Sequence, residues 1–313
     1  MKNISIVIPV YNSENSIGGL CEQLIKSLSI LYNLEIVLVN DRSKDNSDAV
    51  CVALFEKYPD RICFYSLAKN VGEHNAVMAG LNHATGDYVV IMDDDFQNPA
   101  SEVPLLVEEA IRKGCDVVYS QYEEKKHSLF RNLGSSFNDA VANVMLKKPK
   151  HLYLSSFKVM SRFVVDQVIR YDLPFSYIDG LILRVTDNIG VVNVHHEERA
   201  DGKSGYTLKK LVSLWLNMFT SFSILPLRVA IILGFIFSFL GLVLGIQTLI
   251  ERIMNPNLPL GWSQLIVAVS IFAGVQLVAI GMTGEYVGRI FLSQSKKPQF
   301  TIRTAYEKKK ALE

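Results

Sequence analysis

From Val229 to Ile250 the sequence reads VAIILGFIFSFLGLVLGIQTLI without a single charged residue. As a helix this stretch is roughly 33 Å long, enough to cross a bilayer core of ~30 Å. A second uncharged run extends from about Leu260 to Gly284, after the link ERIMNPNLP. Both runs are apolar on every face, whereas a helix docked on a soluble core needs only an apolar stripe. Pro256 and Pro259 place a turn between them. The two runs therefore read as a membrane hairpin.

The flanks orient it. Lys209, Lys210 and Arg228 precede the first run, and Arg289, Lys296, Lys297, Arg303 and Lys308 to Lys310 follow the second. The link offers only Arg252. By the positive-inside rule, both the large N-terminal part and the C-terminal stretch are expected in the cytoplasm, on an inner membrane crossed twice. The opening MKNISIVIPVYNS has one lysine and no long apolar core, so it does not read as a signal peptide. Cys21, Cys51, Cys63 and Cys115 form no CxxC pair and suit reduced, buried thiols. A net charge of +1, without basic residues interleaved with aromatics, gives no argument for nucleic acid.

Ahead of the hairpin, short β-branched runs alternate with helical patterns. ISIVIPV (4–10), LEIVLVND (34–41), RICFYSLAKN (61–70) and DYVVIMDDD (87–95) read as strands. Residues 13–33, a stretch ending near Tyr58, and 75–85 read as the helices between them. Such alternation predicts an α/β fold with a parallel sheet covered on both faces. In open sheets of this kind ligands bind beyond the carboxyl ends of the strands. Tyr11, Asn12, Asp41 and the run Asp93, Asp94, Asp95 all fall there.

The acid run needs a counterpart. Adjacent carboxylates repel by about 1 kcal/mol per pair at 4 Å even in bulk water. A divalent cation with a phosphorylated ligand would offset that. No GxGxxG follows the first strand and no GxxxxGK[ST] occurs, which disfavours a dinucleotide fold or a P-loop and leaves an aspartate-held metal to organise the phosphates.

IPVYNSE (8–14), VNDRSKDNS (39–47), NVGEHNAVMAGL (70–81) and MDDDFQNP (92–99) resemble, in order and spacing, the family 2 glycosyltransferases with the GT-A fold. With DGKSGY (201–206), the hairpin and GEYVGRI (284–290), the likeness extends to the polyprenyl-phosphate branch of that family. The resemblance implies that Pro9, Tyr11, Asn12 and Glu14 help line a nucleotide pocket, with Asp41 on the base and Asp94 or Asp93 on the ribose. Asp93 and Asp95 match the acids of a DxDxQ pattern and would hold Mg²⁺ or Mn²⁺ on the diphosphate, with Gln97 near the sugar or the metal. Tyr11 and Asn12 could instead be turn residues only, and Asn70 and Gly72 either join the pocket or simply begin a helix.

In HHEERADGKSGY (195–206), Arg199, Lys203 and Ser204 fall on or beside the positions that receive the acceptor phosphate in the family. The family often has an acid before a GDFRLM-like segment; HLYLSSFKVMSR (151–162) has none, and Asp179 is the nearest replacement as base. Arg162 either orients a phosphate or is a surface residue. TLKKLVSLWLNMFTSFS (207–223) has the pattern of a helix lying on the membrane.

The resulting expectation is a GT-A domain over 1–206, a juxtamembrane helix over 207–224, two spans over 225–284 and a cytoplasmic tail over 285–313. Its substrates are a nucleotide sugar, with UDP favoured over GDP, and a polyprenyl phosphate, undecaprenyl phosphate in a bacterium. Transfer inverts the anomeric carbon and serves cell-envelope glycan or glycolipid modification. The glycines of the spans leave self-association open. The rival readings are an inactive membrane scaffold and a polysaccharide synthase. The latter in its family carries a QxxRW motif, which is absent here.

Overall fold

The computed structural model describes residues 1–122, 152–174, 176–195, 225–254, 261–295 and 298–307. It divides into two compact units, Met1–Tyr206 with Lys297–Glu313, and Thr207–Lys296. The interfacial helix expected over 207–224 lies outside the described residues.

In the first unit the strands are β1 (Asn3–Val10), β2 (Asn33–Asn40), β3 (Ile62–Leu67), β4 (Tyr88–Ile91), β5 (Val117–Tyr122), β6 (Lys158–Ser161), β7 (Ile189–Val194) and β8 (Ile302–Tyr306). They form one sheet in the order β7-β5-β6-β4-β1-β2-β3-β8. The described helices are α1 (Ile17–Leu28), α2 (Ser47–Lys57), α3 (Glu73–His83), α4 (Val103–Lys113), α5 (Arg162–Val168) and α6 (Ile178–Val185).

β1 and β2 are buried along nearly their whole length, as their β-branched sequences require of central strands. On one face Ile4, Ile6, Ile8 and Val10 join Ile17, Leu20, Leu24 and Leu28 of α1 in the main core. On the other, α3 approaches β1 so closely that a Cβ at Gly80 would collide with the Val7 side chain. Only glycine permits that approach.

Three expectations need correcting. The sheet is mixed, because β6 runs antiparallel to both β4 and β5. β4 ends at Ile91, so the three acids lie past the strand in a turn. The stretch over 285–313 is not a tail either. Its helix continues to Gln294, and β8 then pairs antiparallel with β3. Tyr306 packs on Phe64 and Phe55, with ring centroids 5.8 and 5.5 Å apart, and covers a sheet edge that would otherwise be open.

The second unit contains α7 (Leu225–Met254) and α8 (Trp262–Gln294). Among the described residues these are the two helices long and apolar enough to cross a membrane, through Leu227–Gln247 and Ile271–Leu292. Phe272 of α8 sits against Phe237 and Gly241 of α7. Phe235, Phe239, Leu277 and Val278 are exposed, an arrangement that suits a lipid surrounding.

Candidate active site

The loops past the carboxyl ends of β4, β1, β2 and β3 stand side by side, as the strand order dictates. Three of them bend through a left-handed non-glycine residue: Asn12 (φ 56°), Arg42 (φ 59°) and Phe96 (φ 63°). Each such residue costs about 1–3 kcal/mol and persists only where its surroundings hold it.

Side chains hold them, each bracing the next loop. Asp94 accepts hydrogen bonds from the Tyr11 N–H (3.1 Å) and the Ser13 hydroxyl, tying the β4 loop to the β1 loop. The Asn12 N–H donates to Ser43 Oγ (3.0 Å), and Asn12 Oδ1 accepts from the Lys44 N–H (2.8 Å). Glu14 accepts from the Asn46 N–H (2.8 Å) and donates its own N–H to Asp45 (3.1 Å). These bonds lock β1 to β2. Asp41 then accepts from the Val71 and Gly72 N–H groups at 2.7 and 2.9 Å, and its carbonyl accepts from the Asn70 side chain at 2.9 Å. Gly72 (φ 88°) follows as the entry to α3. Burial raises the Asp41 pKa, while the two backbone donors pull it back.

Asp93 and Asp95 flank the braced Asp94. The Ser156 hydroxyl donates to Asp93 Oδ2 at 2.6 Å, and the Gln97 N–H donates to Asp95 Oδ1 at 3.2 Å. Burial pushes both Asp93 and Asp94 up to about 6. At Asp93 the charge of Glu73 adds to the push, and Ser156 and Lys158 oppose it. No group of three or more His, Cys, Asp or Glu among the described residues could hold a metal alone. Two half-buried carboxylates of this kind still fit Mg²⁺ or Mn²⁺, hard ions that take few protein ligands and complete their shells with phosphate and water. Tyr11 stands exposed beside them.

Residues 5–169 match the Glycosyl transferase family 2 sequence profile. The chain belongs to this family. The undecaprenyl-phosphate 4-deoxy-4-formamido-L-arabinose transferase of Yersinia enterocolitica is 32% identical over 306 residues, which cover 97% of this chain and 93% of that protein. The protein of the same description from Photorhabdus laumondii is 30% identical, over 97% of this chain and 94% of its own length. Among solved structures, glucosyl-3-phosphoglycerate synthase of Mycobacterium tuberculosis superposes with a TM-score of 0.50 at 20% identity, covering 69% of this chain and 81% of that one. That last likeness is one of fold, the GT-A type of α/β sheet.

The family 2 glycosyltransferase does not assemble every residue expected at its site. Pro9 is buried within β1 opposite Val39, so its ring belongs to the sheet and not to a pocket wall. Arg162 follows β6, whose antiparallel course carries the chain away from the acids to the amino end of β4. There its guanidinium donates to the Ala84 carbonyl at 2.7 Å, which removes it from phosphate binding. Asp179 is buried, and one of its oxygens accepts from both the Lys158 ammonium and the Tyr119 hydroxyl (2.9 Å). A carboxylate spent on a buried cation is poorly placed to serve as a base. Arg199, Lys203 and Ser204 lie outside the described residues.

Sequence reasoning missed Ser13, Ser43, Ser156 and Lys158. Lys158 carried a signal: a lysine inside the apolar strand KVMS is buried only with a partner.

Proposed function

We propose that this glycosyltransferase moves a sugar from a nucleotide sugar to undecaprenyl phosphate at the cytoplasmic face of the inner membrane, with inversion and for cell-envelope modification. The observation that carries this reading is the extent of the likeness. The Yersinia relative named for undecaprenyl phosphate matches across 97% of this chain, and so spans the apolar helices as well as the family domain.

A phosphate oxygen of the acceptor attacks the anomeric carbon while the bond from that carbon to the nucleotide oxygen breaks. The electron pair leaves with the nucleoside diphosphate. Mg²⁺ or Mn²⁺, held by Asp93 and Asp95 and by the diphosphate, would neutralise the departing charge. UDP is favoured over GDP, in keeping with the fold neighbour crystallised with Mn²⁺ and uridine diphosphate. In this reading Tyr11 meets the nucleotide and Gln97 the sugar, from loops braced by the Asp94 and Asn12 hydrogen bonds. A phosphate monoester has its second pKa near 6, so the acceptor is already a nucleophile at pH 7 and needs no strong base. Arg199, Lys203 and Ser204 receive its phosphate.

Connectivity supports the membrane side proposed. The chain leaves the first unit before the hairpin and rejoins it afterwards. Two crossings return it to the same face, and the basic flanks make that face the cytoplasmic one.

The test is transfer from a panel of radiolabelled UDP- and GDP-sugars to undecaprenyl phosphate in detergent, with and without Mn²⁺. A chloroform-soluble, metal-dependent product from one donor supports the reading. No product from any donor, with the protein folded and binding none of the nucleotides, overturns it.

A further inference from the structure

Helix α1 opens with Ile17, Gly18 and Gly19, although glycine is the poorest helix former after proline. Among the described residues the glycines with positive φ are Gly72 and Gly114, so backbone freedom does not explain this pair. Their surroundings separate the two. A Cβ at Gly18 would meet Val50 Cγ1 at 3.8 Å, an ordinary contact. A Cβ at Gly19 would come within 3.2 Å of Phe96 Cζ, closer than side chains ordinarily pack. Gly19 thus leaves a notch for the tip of a ring that comes from the acid loop.

Phe96 follows Asp95 and is the residue at which that loop bends left-handed. For a bulky side chain a φ of 63° is an outlier, and its surroundings must hold it. The partly buried ring packs on the main core and ends at the Gly19 notch. The loop is also tied on both sides of the bend. Asp94 turns in to the Tyr11 N–H and the Ser13 hydroxyl. Asn98 is buried and accepts from the Tyr122 hydroxyl at 3.0 Å. Between these ties, the backbone at Phe96 decides where Asp95 lies relative to Asp93. A ring seated against α1 fixes that backbone.

We propose that Phe96, seated against Gly19, is a positioning residue that sets the spacing of Asp93 and Asp95 for a divalent cation. The proposal rests on the cation assigned to these acids under Proposed function. Mg²⁺ demands near-ideal octahedral geometry, so a small change in the spacing of two carboxylates costs affinity. Phe96 touches neither cation nor substrate in this reading and acts through the loop. Groups that orient metal ligands typically carry about 10–100-fold in affinity.

The test is Mn²⁺ binding to the full-length protein in detergent, followed by electron paramagnetic resonance with UDP present and read against a UDP blank. The wild type is expected to bind the ion. Phe96→Ala removes the ring and Gly19→Val fills the notch. Each should weaken Mn²⁺ binding about tenfold or more, with thermal unfolding near that of the wild type. The double variant should bind no more weakly than Phe96→Ala alone, because both changes act on one contact. Gly19→Ala, a milder push on the ring, should lie between wild type and Gly19→Val, and it stands in if valine prevents folding. Wild-type Mn²⁺ binding by Phe96→Ala or Gly19→Val, or losses that multiply in the double variant, overturns this inference and leaves the cation assignment standing. A wild type that binds no Mn²⁺ in the presence of UDP overturns both.

Discussion

Lys158 and Asp179 form an ion pair inside the α/β unit, Lys158 entering from β6 and Asp179 from the first turn of α6. The Tyr119 hydroxyl donates to the same Asp179 oxygen, and the ammonium lies 5.0 Å from the Tyr119 ring centroid. Breaking such a pair from one side leaves a buried charge alone and costs about 3–5 kcal/mol. Asp179→Ala is therefore expected to lower the unfolding free energy by about that amount in chemical denaturation. Removing both charges, with Lys158→Met and Asp179→Leu together, should recover much of the loss. If Asp179→Asn instead left stability unchanged and abolished turnover, the residue would be a base after all.

Asp95 accepts a hydrogen bond from the nearby Gln97 N–H and matches the second acid of the metal-holding pattern. Asp95→Asn should keep the fold and lower metal-dependent transfer by about 10²-fold or more, because the charge that holds the cation is lost. Circular dichroism and a Mn²⁺ titration of transfer rate check the two halves of that statement.

Asp41 braces the entry to α3. In Asp41→Ala the Val71 and Gly72 N–H groups lose their acceptor, at a cost of about 1–3 kcal/mol. Hydrogen–deuterium exchange at residues 70–73 should accelerate selectively, and nucleotide binding should weaken with it. Exchange unchanged from the wild type would mean that the loop is held by something else.

His74 makes one contribution to stability depend on pH. It meets the Tyr177 ring edge-on at 5.1 Å, and burial holds its pKa down to about 4. An unfolded histidine titrates near 6.5, so between these values the unfolded chain carries a proton that the folded chain refuses. The His74 contribution is then full above about pH 6.5 and falls as the pH drops towards 4, whereas the raised Asp93 and Asp94 work in the opposite direction in wild type and variant alike. Relative to His74→Gln, the wild type should therefore lose about 2 kcal/mol between pH 7 and 5. Denaturation midpoints of both proteins at the two pH values provide the check.

The sequence makes β1 to β4 legible because each is a compact run of apolar, mostly β-branched or aromatic residues, and it places Asp41 and the acid triplet at strand ends. It does not tell the three acids apart. Identical neighbours give no local cue, and the left-handed bend at Phe96 is associated with an inward Asp94 that joins Tyr11 and Ser13. β6 is equally obscure, with four residues and a lysine among them. Its burial depends on Asp179, 21 positions away, beyond the reach of any local pattern. β8 is hidden for a different reason. IRTAY has ordinary strand character, but it follows two long apolar runs in a basic stretch, where a solvated end is the natural reading.

The return of β8 to β3 sets an order of events during synthesis. The edge of the catalytic sheet cannot be completed until the ribosome has made both apolar helices and the residues beyond them. Synthesis of both apolar helices thus precedes the last step of folding of the sheet. Cutting the chain just before the hairpin would not liberate a soluble version of the enzyme. It would produce a sheet lacking its border strand, with Phe64 and Phe55 stripped of the ring that shields them.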